Sequence, residues 1–412
     1  MDDRVILHCD CNSFFASVEA ALNPEYRGVP MAVCGSEEDR HGIVLAKNEL
    51  AKKYGIQTAE TVYSARRKCP GLVIAKPHHE EYVKFSRRVN EIYARYTDMI
   101  EPFGIDESWL DVTASKKLFG GGVEIAERIR QEVKREIGIT VSIGVSFNKV
   151  FAKLGSDYKK PDAITVISED NFREIVFPLP ASDLLFVGKK TAEQLKLIGV
   201  RTIGELAGLS ESFLTKKFGK MGEQLYKYSN GLDDSPVSSG RDEAKSVGSG
   251  FTFRHDLISR EECRVGIEYL ADDIGRRLRK MGMKCETVQL SIKDEYLRVV
   301  QRQRPQLPPT DISRLIANTA YEILLDEWSE SKPIRMLTVT ATNLVHSNSF
   351  AEQIDLFGEE DYKEREKSKK KEETVDKIRQ KHGSASILQG SVMSSDIGIF
   401  KVGYDGTAEK DN

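Results

Sequence analysis

Three carboxylates in two short stretches have the types and spacing for metal-dependent phosphoryl chemistry. Asp106 and Glu107 lie in Gly104-Ile105-Asp106-Glu107-Ser108-Trp109-Leu110-Asp111, with Met99 to Phe103 ahead and Trp109 to Thr113 behind. Both flanks read as short strands. Asp10 ends the apolar run Val5-Ile6-Leu7-His8-Cys9-Asp10, a buried strand by its pattern. Carboxylates at strand ends cost little when they bind hard cations and much when buried alone. A strand ending on an acid, followed at a distance by a hairpin carrying Asp-Glu, is the pattern of a two-metal site. The competing reading makes Asp106-Glu107 a solvated turn and Asp10 a helix cap.

The elements that must position these acids follow from the periodicity. A helix is expected from Ser13 to Leu22, with Asn12 or Ser13 as N-cap, stopped by Asn23-Pro24. Strands are expected at Val29 to Cys34, Gly42 to Ala46 and Leu72 to Ala75, with a basic helix through Lys47, Lys52 and Lys53 and a second over Val62 to Cys69. Tyr82, Phe85, Val89, Ile92, Tyr93 and Tyr96 mark a helix over Glu80 to Thr97. A helix over Gly121 to Ile137, a strand at Thr140 to Ser146, a helix over Asn148 to Tyr158 and a strand at Ile164 to Ile167 complete an α+β layout. Its sheet is largely antiparallel, with helices on one face. From Ser168 to Ser235 the texture is helical. Val187-Gly188-Lys189 and Phe218-Gly219-Lys220-Met221-Gly222 are helix–glycine–helix turns that can offer N–H groups to a DNA phosphate, or are ordinary helical hairpins. Asp234 to Gly240 reads as a linker. Strand, helix, strand, strand, helix, strand then follow through Thr342, a second ferredoxin-like unit. Glu359 to Glu373 is charge-rich and expected to be disordered, Val375 to His382 to form a turn or two of helix.

The 412 residues are too many for one core and imply two to four domains. No apolar run is long enough for a membrane span, and Asp2, Asp3 and Arg4 leave no room for a signal peptide, so a cytoplasmic protein is expected. The six cysteines show no zinc-ligand spacing and read as reduced thiols. Alternation puts Cys9 and Cys11 on the face opposite Asp10. A net charge of −3 does not announce a nucleic-acid binder, but the charge is segregated. Arg276, Arg277, Arg279, Lys280 and Lys284 cluster, as do Arg298, Arg302 and Arg304, whose place on strands suits a sheet laid along a duplex backbone.

Taken together, three motifs resemble the Y-family translesion DNA polymerases, most closely the bacterial DNA polymerase IV type. They are Asp10-Cys11-Asn12-Ser13-Phe14-Phe15-Ala16-Ser17-Val18-Glu19, Ile105 to Asp111, and Ser146-Phe147-Asn148-Lys149-Val150-Phe151-Ala152-Lys153 continuing to Asp157-Tyr158-Lys159-Lys160-Pro161. The resemblance runs over roughly residues 4 to 345. It implies a right-hand polymerase: palm start leading into the fingers at 1–31, fingers 32–77, palm 78–167, helical thumb with helix-hairpin-helix units 168–235, linker 236–245, little finger 246–345, and a mostly disordered tail 346–412. It implies that Asp10, Asp106, Glu107 and the backbone carbonyl of Cys11 hold two Mg2+ ions. Phe15 matches the steric gate against a ribose 2′-hydroxyl, with Phe14 beside it. Ile43 and Leu45 match the roof over the nascent base pair, and Lys160 the triphosphate-binding lysine. Many relatives place a Tyr-x-x-Arg pair in the fingers. Here Glu49 and Lys52 stand there, so Lys52 supplies charge without a planar fork. Phe186 stands where relatives usually carry glycine. Gly188, Lys189, Gly222, Arg276, Arg277, Arg298 and Arg302 are the expected DNA contacts. Gln353-Ile354-Asp355-Leu356-Phe357 is similar to a sliding-clamp-binding peptide, anchored by Gln353, Leu356 and Phe357.

The implied activity is template-directed, low-fidelity addition of dNTPs to a primer 3′-hydroxyl, without proofreading, by a monomer on primer-template DNA. Two other readings compete. A palm-type nucleotidyl cyclase would need no DNA-gripping thumb, against the helical stretch from Ser168 to Ser235. A catalytically weak clamp- and DNA-binding scaffold would not need Asp10, Asp106 and Glu107 intact.

Overall fold

The computed structural model describes residues 4–36, 42–240, 243–329, 332–348 and 359–399. The chain divides into two compact units, Met1–Gly35 with Ile43–Arg241, and the remainder. Among the described residues no helix is long and apolar enough to cross a membrane.

The first unit carries strands β1 (Ile6–Cys11), β2 (Met31–Cys34), β3 (Val44–Lys47), β4 (Val73–Ala75), β5 (Ile100–Pro102), β6 (Glu107–Asp111), β7 (Val141–Ser146) and β8 (Ile164–Ile167). Five of them form one sheet in the order β5-β6-β1-β7-β8. The fully buried β1 lies at its centre, antiparallel to β6 and β7. Leu7, Cys9, Cys11, Leu110, Val141 and Ile143 line one face. The helices His79–Tyr93 and Gly122–Glu132 cover it with Tyr82, Phe85, Val89, Ile92, Ile125 and Ile129. Cys9 and Cys11 are thus buried core residues, as alternation required.

The opposite face is not bare, and here the expectation of helices on one face fails. The helix Lys149–Tyr158 lies directly on β7. It can do so because Gly144 and Gly155 meet without side chains: a Cβ on Gly144 would stand 1.8 Å from the Ala152 carbonyl oxygen. Backbone-to-backbone approach of this kind needs glycine.

The strands β3-β2-β4 form a second, small sheet, with β2 and β4 parallel. Asn48 caps the short helix Glu49–Lys52 by accepting from the Ala51 N–H, and its amide also ties Val29 and Met31. Between residues 181 and 229 the named elements are helices, packed around Leu195, Ile203, Leu206, Leu214 and Leu225, with a single bridge from Thr202 to Pro180.

The second unit is built from β9 (Ser246–Leu257), the helix Arg260–Met281, β10 (Met283–Asp294), β11 (Val299–Thr310), the helix Ser313–Glu327 and β12 (Ile334–His346). The sheet order is β11-β10-β12-β9, every pair antiparallel. Both helices pack on the face bearing Val247, Val288, Leu290, Leu337 and Val339. Ser259 and Glu262 cap the first helix reciprocally, and Gly282, at φ 66, ends it.

The stretch expected to be disordered, Glu359 to Glu373, is the first part of a helix, Glu359–His382. Its acids are not merely solvated. Arg279, almost fully buried, pairs with Glu372 and with Asp376 at 2.6 Å, and Arg379 pairs with Asp272 at 2.7 Å. Val392, Ile397 and Ile399 then join the core of the unit. The peptide Gln353 to Phe357 lies outside the described residues.

Candidate active site

Strand pairing brings the acids together. Asp10 on β1 is the register partner of Glu107 on β6, and the Cys11 N–H donates to the Asp106 carbonyl at 3.0 Å. Directly opposed residues of an antiparallel pair share a face, so Asp10 and Glu107 look the same way. That is the face on which the helix Lys149–Tyr158 lies, and this helix and the turn after it supply lysines. Lys160 Nζ is 2.8 Å from Asp10 Oδ2 and 2.7 Å from Asp157 Oδ1, while Lys153 pairs with Glu107. His8, fully buried, sets Nδ1 2.8 Å from the Ser156 hydroxyl. Its Nε2 stands 3.2 Å from Glu107 Oε2 but off the line a hydrogen bond requires, so Lys153 is the stronger partner of that carboxylate.

The charges are held in tension. Burial pushes the Asp10 carboxyl up to about 6 against the opposing pull of Lys160, and the Glu107 charge adds to the rise. Burial, then the Glu107 charge, also raises Asp106. Burial acts upward on Glu107 too, but the His8 and Lys153 side chains overcome it and hold Glu107 at about 2. Among the described residues no group of three or more His, Cys, Asp or Glu side chains is assembled as a ready metal cage. The expected triad is therefore split: Asp10 and Asp106 line one cleft, and Glu107 is turned to Lys153. The donor set nonetheless fits a hard divalent cation. It offers partly desolvated carboxylate oxygens that repel one another and are countered by the Lys160 and Lys153 ammonium groups, which a cation can replace, and at Glu107 also by His8.

The cleft has a volume of about 340 Å3. Asp10, Asp106, Phe15, Leu45, Lys52 and Lys160 line it, and so do Phe14 and Cys11. The Cys11 side chain is buried in the core, so only its backbone can serve the cleft. Phe15 is stacked on Tyr82 with ring centroids 4.2 Å apart, which fixes its ring as one wall. Ile43 does not line the cleft; it is 38% exposed and bridged to Thr61.

Ser13 stands at the N-cap of the first helix, Phe14–Leu22, as one of the two expected caps, but its side chain makes no capping hydrogen bond. Ser13 is in the left-handed region at φ 48 and its hydroxyl donates to Glu49 Oε1 at 3.1 Å. The Asn12 side chain instead donates to Ser142 and accepts from Thr140 and the Asp162 N–H, pinning the loop after Lys160. Glu49 also holds Lys52 Nζ at 2.5 Å, so the acid is already neutralised. Sequence reasoning missed Lys47, which lines the same cleft and donates to Thr58 Oγ1 at 3.0 Å. Its position two residues after Leu45 on a strand was the available signal.

The expected DNA contacts fare unevenly. Gly188 and Lys189 are exposed at the start of the helix Lys189–Leu197. Phe186 is held at φ 67, which explains why glycine suits that position. Gly222 is buried, and a Cβ there would meet the Leu214 carbonyl oxygen at 2.0 Å, so it serves helix packing; the exposed turn glycine is Gly219. Arg276 and Arg277 are on a helix and pair with Asp273, and Arg277 also donates to the Gly248 carbonyl. Arg302 and Arg304 face the helix-covered side of β11, opposite Leu290 and Val288, and pair with Glu327, Glu322 and Asp326. Arg298 stacks over Tyr296. The open face of the sheet carries Gln289, Ser291, Gln301, Gln303, Thr338 and Thr340 instead. Side-chain alternation, unreadable without the register, turns Arg302 and Arg304 to the helix side, while Lys293 shares the face of Gln289 and Ser291.

Comparisons with known proteins agree with this architecture. Residues 9–157 match the impB/mucB/samB family, residues 244–356 the C-terminal domain of that family, and residues 182–233 the thumb domain of DNA polymerase-iota. The chain is 49% identical over 401 residues to a DNA polymerase IV of Acetivibrio thermocellus, covering 97% of this chain and 100% of the relative. It is 34% identical over 394 residues to DNA polymerase IV 1 of Bacillus subtilis, covering 95% and 94%. A solved Y-family DNA polymerase chimera, Dbh-Dpo4(243-245)-Dbh, superposes with a TM-score of 0.74 at 23% identity, over 83% of this chain and 99% of that one, a likeness of fold.

Proposed function

Because the chain belongs to the Y-family DNA polymerases of the bacterial DNA polymerase IV type, a family dependent on divalent metal, we propose that it extends a primer 3′-hydroxyl with dNTPs on a DNA template. The synthesis is translesion and of low fidelity. The observation that carries this reading is the cleft that gathers Asp10 and Asp106 with Phe15 and Lys160. Asp10, Asp106, Glu107 and the Cys11 carbonyl would hold two Mg2+ ions, which supply charge neutralisation at the attacking 3′-oxygen and the leaving pyrophosphate. Lys160, half-buried beside Asp10, contributes fixed positive charge for the triphosphate. Phe15, immobilised on Tyr82, excludes a 2′-hydroxyl from the sugar site. Leu45 covers the base pair.

On this reading residues 1–31 begin the palm and lead into the fingers at 32–77, 78–167 complete the palm, 168–235 form the thumb and 246–345 the little finger. The enzyme acts as a monomer in the cytoplasm, where template DNA in a bacterial cell lies, and Gln353 to Phe357 serves as its sliding-clamp peptide. A tethered peptide would raise the local concentration of the enzyme at the primer end.

Primer extension with Mg2+ tests the reading. The wild type should extend with dNTPs, Asp106→Ala should be inactive, and Phe15→Ala should accept rNTPs. A wild type that binds primer-template but adds no nucleotide would favour the scaffold reading.

A further inference from the structure

Three lysines line the cleft, and their partners differ. Lys160 is shared between Asp10 and Asp157. Lys52 is bound to Glu49, which is itself held by the Ser13 hydroxyl. Lys47 has only the neutral Thr58 hydroxyl, 3.0 Å from Nζ; among the described residues no carboxylate pairs with it. It is also the lysine set into the wall by a strand rather than by a helix turn: Lys47 closes β3 and is paired in register with Ala32. Residues two apart on a strand share a face, so Lys47 continues the surface begun by Leu45.

The surroundings accentuate its charge. Burial, then the neighbouring Lys52, make the protonated form of Lys47 harder to hold than that of a free lysine against the weaker opposing pull of Glu60 and Glu49, an effect an arriving anion would reverse. Among the described residues, then, two of the cleft lysines are paired with carboxylates and Lys47 is not, Glu60 and Glu49 acting on it only as more distant charges, so an anion can be taken up there.

We infer that Lys47, not Lys52, is the fingers residue that binds the polyphosphate of the incoming nucleotide, with Thr58 orienting its ammonium group and Glu49 reserving Lys52. The inference rests on the polymerase reading for its substrate; the geometry by itself points to an anion. Lys47 is a binding and specificity residue; it touches no atom of the bond being formed.

The test is steady-state incorporation kinetics together with displacement of inorganic tripolyphosphate, a probe that needs no catalysis. Lys47→Met should raise KM for dNTP about ten- to hundredfold, the fold-change of one charge-assisted hydrogen bond, with kcat nearly unchanged. Lys47→Arg should restore most of it, and Lys52→Met should have the smaller effect. Tripolyphosphate binding should weaken in Lys47→Met by the same factor. A single cooperative melt at the wild-type temperature would confirm that each variant is folded. Equal KM and equal tripolyphosphate binding in Lys47→Met and wild type would overturn the inference and leave the polymerase reading intact. So would a larger effect for Lys52→Met. If the wild type extends no primer, the polymerase reading falls, and the tripolyphosphate comparison alone decides the assignment of Lys47.

Discussion

Replacing Gly144 by alanine should damage the active site from behind. The added Cβ would lie 1.8 Å from the Ala152 carbonyl oxygen and 2.6 Å from the Ser156 nitrogen. Both obstacles are backbone, so no rotamer change relieves them. Ordinary contact begins near 3.4 Å, and the helix Lys149–Tyr158 must therefore retreat from β7 by roughly 1.6 Å in a close-packed interior. Overpacking of this kind costs about 1–3 kcal/mol, and a rigid obstacle belongs at the upper end. At about 2–4 °C per kcal/mol for a unit of this size, the melting temperature should fall by roughly 6–12 °C. The helix carries Lys153, the partner of Glu107, and leads into Lys160, the partner of Asp10. A displacement of about 1 Å at catalytic groups can cost about a hundredfold in rate, so primer extension should fall by that order in the fraction still folded. Gly155→Ala is the graded control, since its Cβ meets its nearest atom, the Gly144 Cα, at 3.0 Å. Circular-dichroism melts and single-nucleotide incorporation on the two variants measure both effects. A Gly144→Ala protein that melts within about 2 °C of wild type and extends primers normally would refute the packing argument.

Two further outcomes follow from the charges. Asp10 titrates at about 6 in the folded protein, above its ordinary 3.8, because burial disfavours its ionised form. Below the ordinary value both states keep the proton and there is no penalty; above about 6 the folded state bears all of it. Wild-type stability without added metal should therefore fall as pH rises from about 4 to 6, and Asp10→Asn should flatten that limb and gain about 1–2 kcal/mol at pH 7. Denaturant melts across that range would decide it, and a parallel pH profile for the variant would contradict the assignment. Arg302→Ala and Arg304→Ala should leave the salt dependence of DNA binding almost unchanged, well short of the slope loss of about 1 expected per phosphate contact removed. Binding titrations at several salt concentrations would show whether their pairing with Glu327, Glu322 and Asp326 indeed withholds them from DNA.

Much of the molecule was legible in one dimension. Strand and helix order depends on local periodicity, so β1, the helix His79–Tyr93 and the βαββαβ order of the second unit could be read directly. The acids Asp10, Asp106 and Glu107 stood out because charged residues bordering apolar strands need a reason to be there. What the sequence could not reveal depended on partners distant along the chain. Register alone decides that Arg302 faces the helices while Gln301 and Gln303 face outward, because one residue of slip exchanges the two faces. Only packing shows that Gly222 serves a helix contact and that Gly144 admits a helix onto the face that bears Asp10. The polar tail looked too charged to fold, and it is ordered by Arg279 and Arg379, two arginines whose counter-ions are about 100 residues away in sequence. Lys47 was visible as a residue, but that no carboxylate among the described residues pairs with it is a property of the assembled cleft. It emerges only when Glu49 is seen to spend its carboxylate on Lys52 and Ser13.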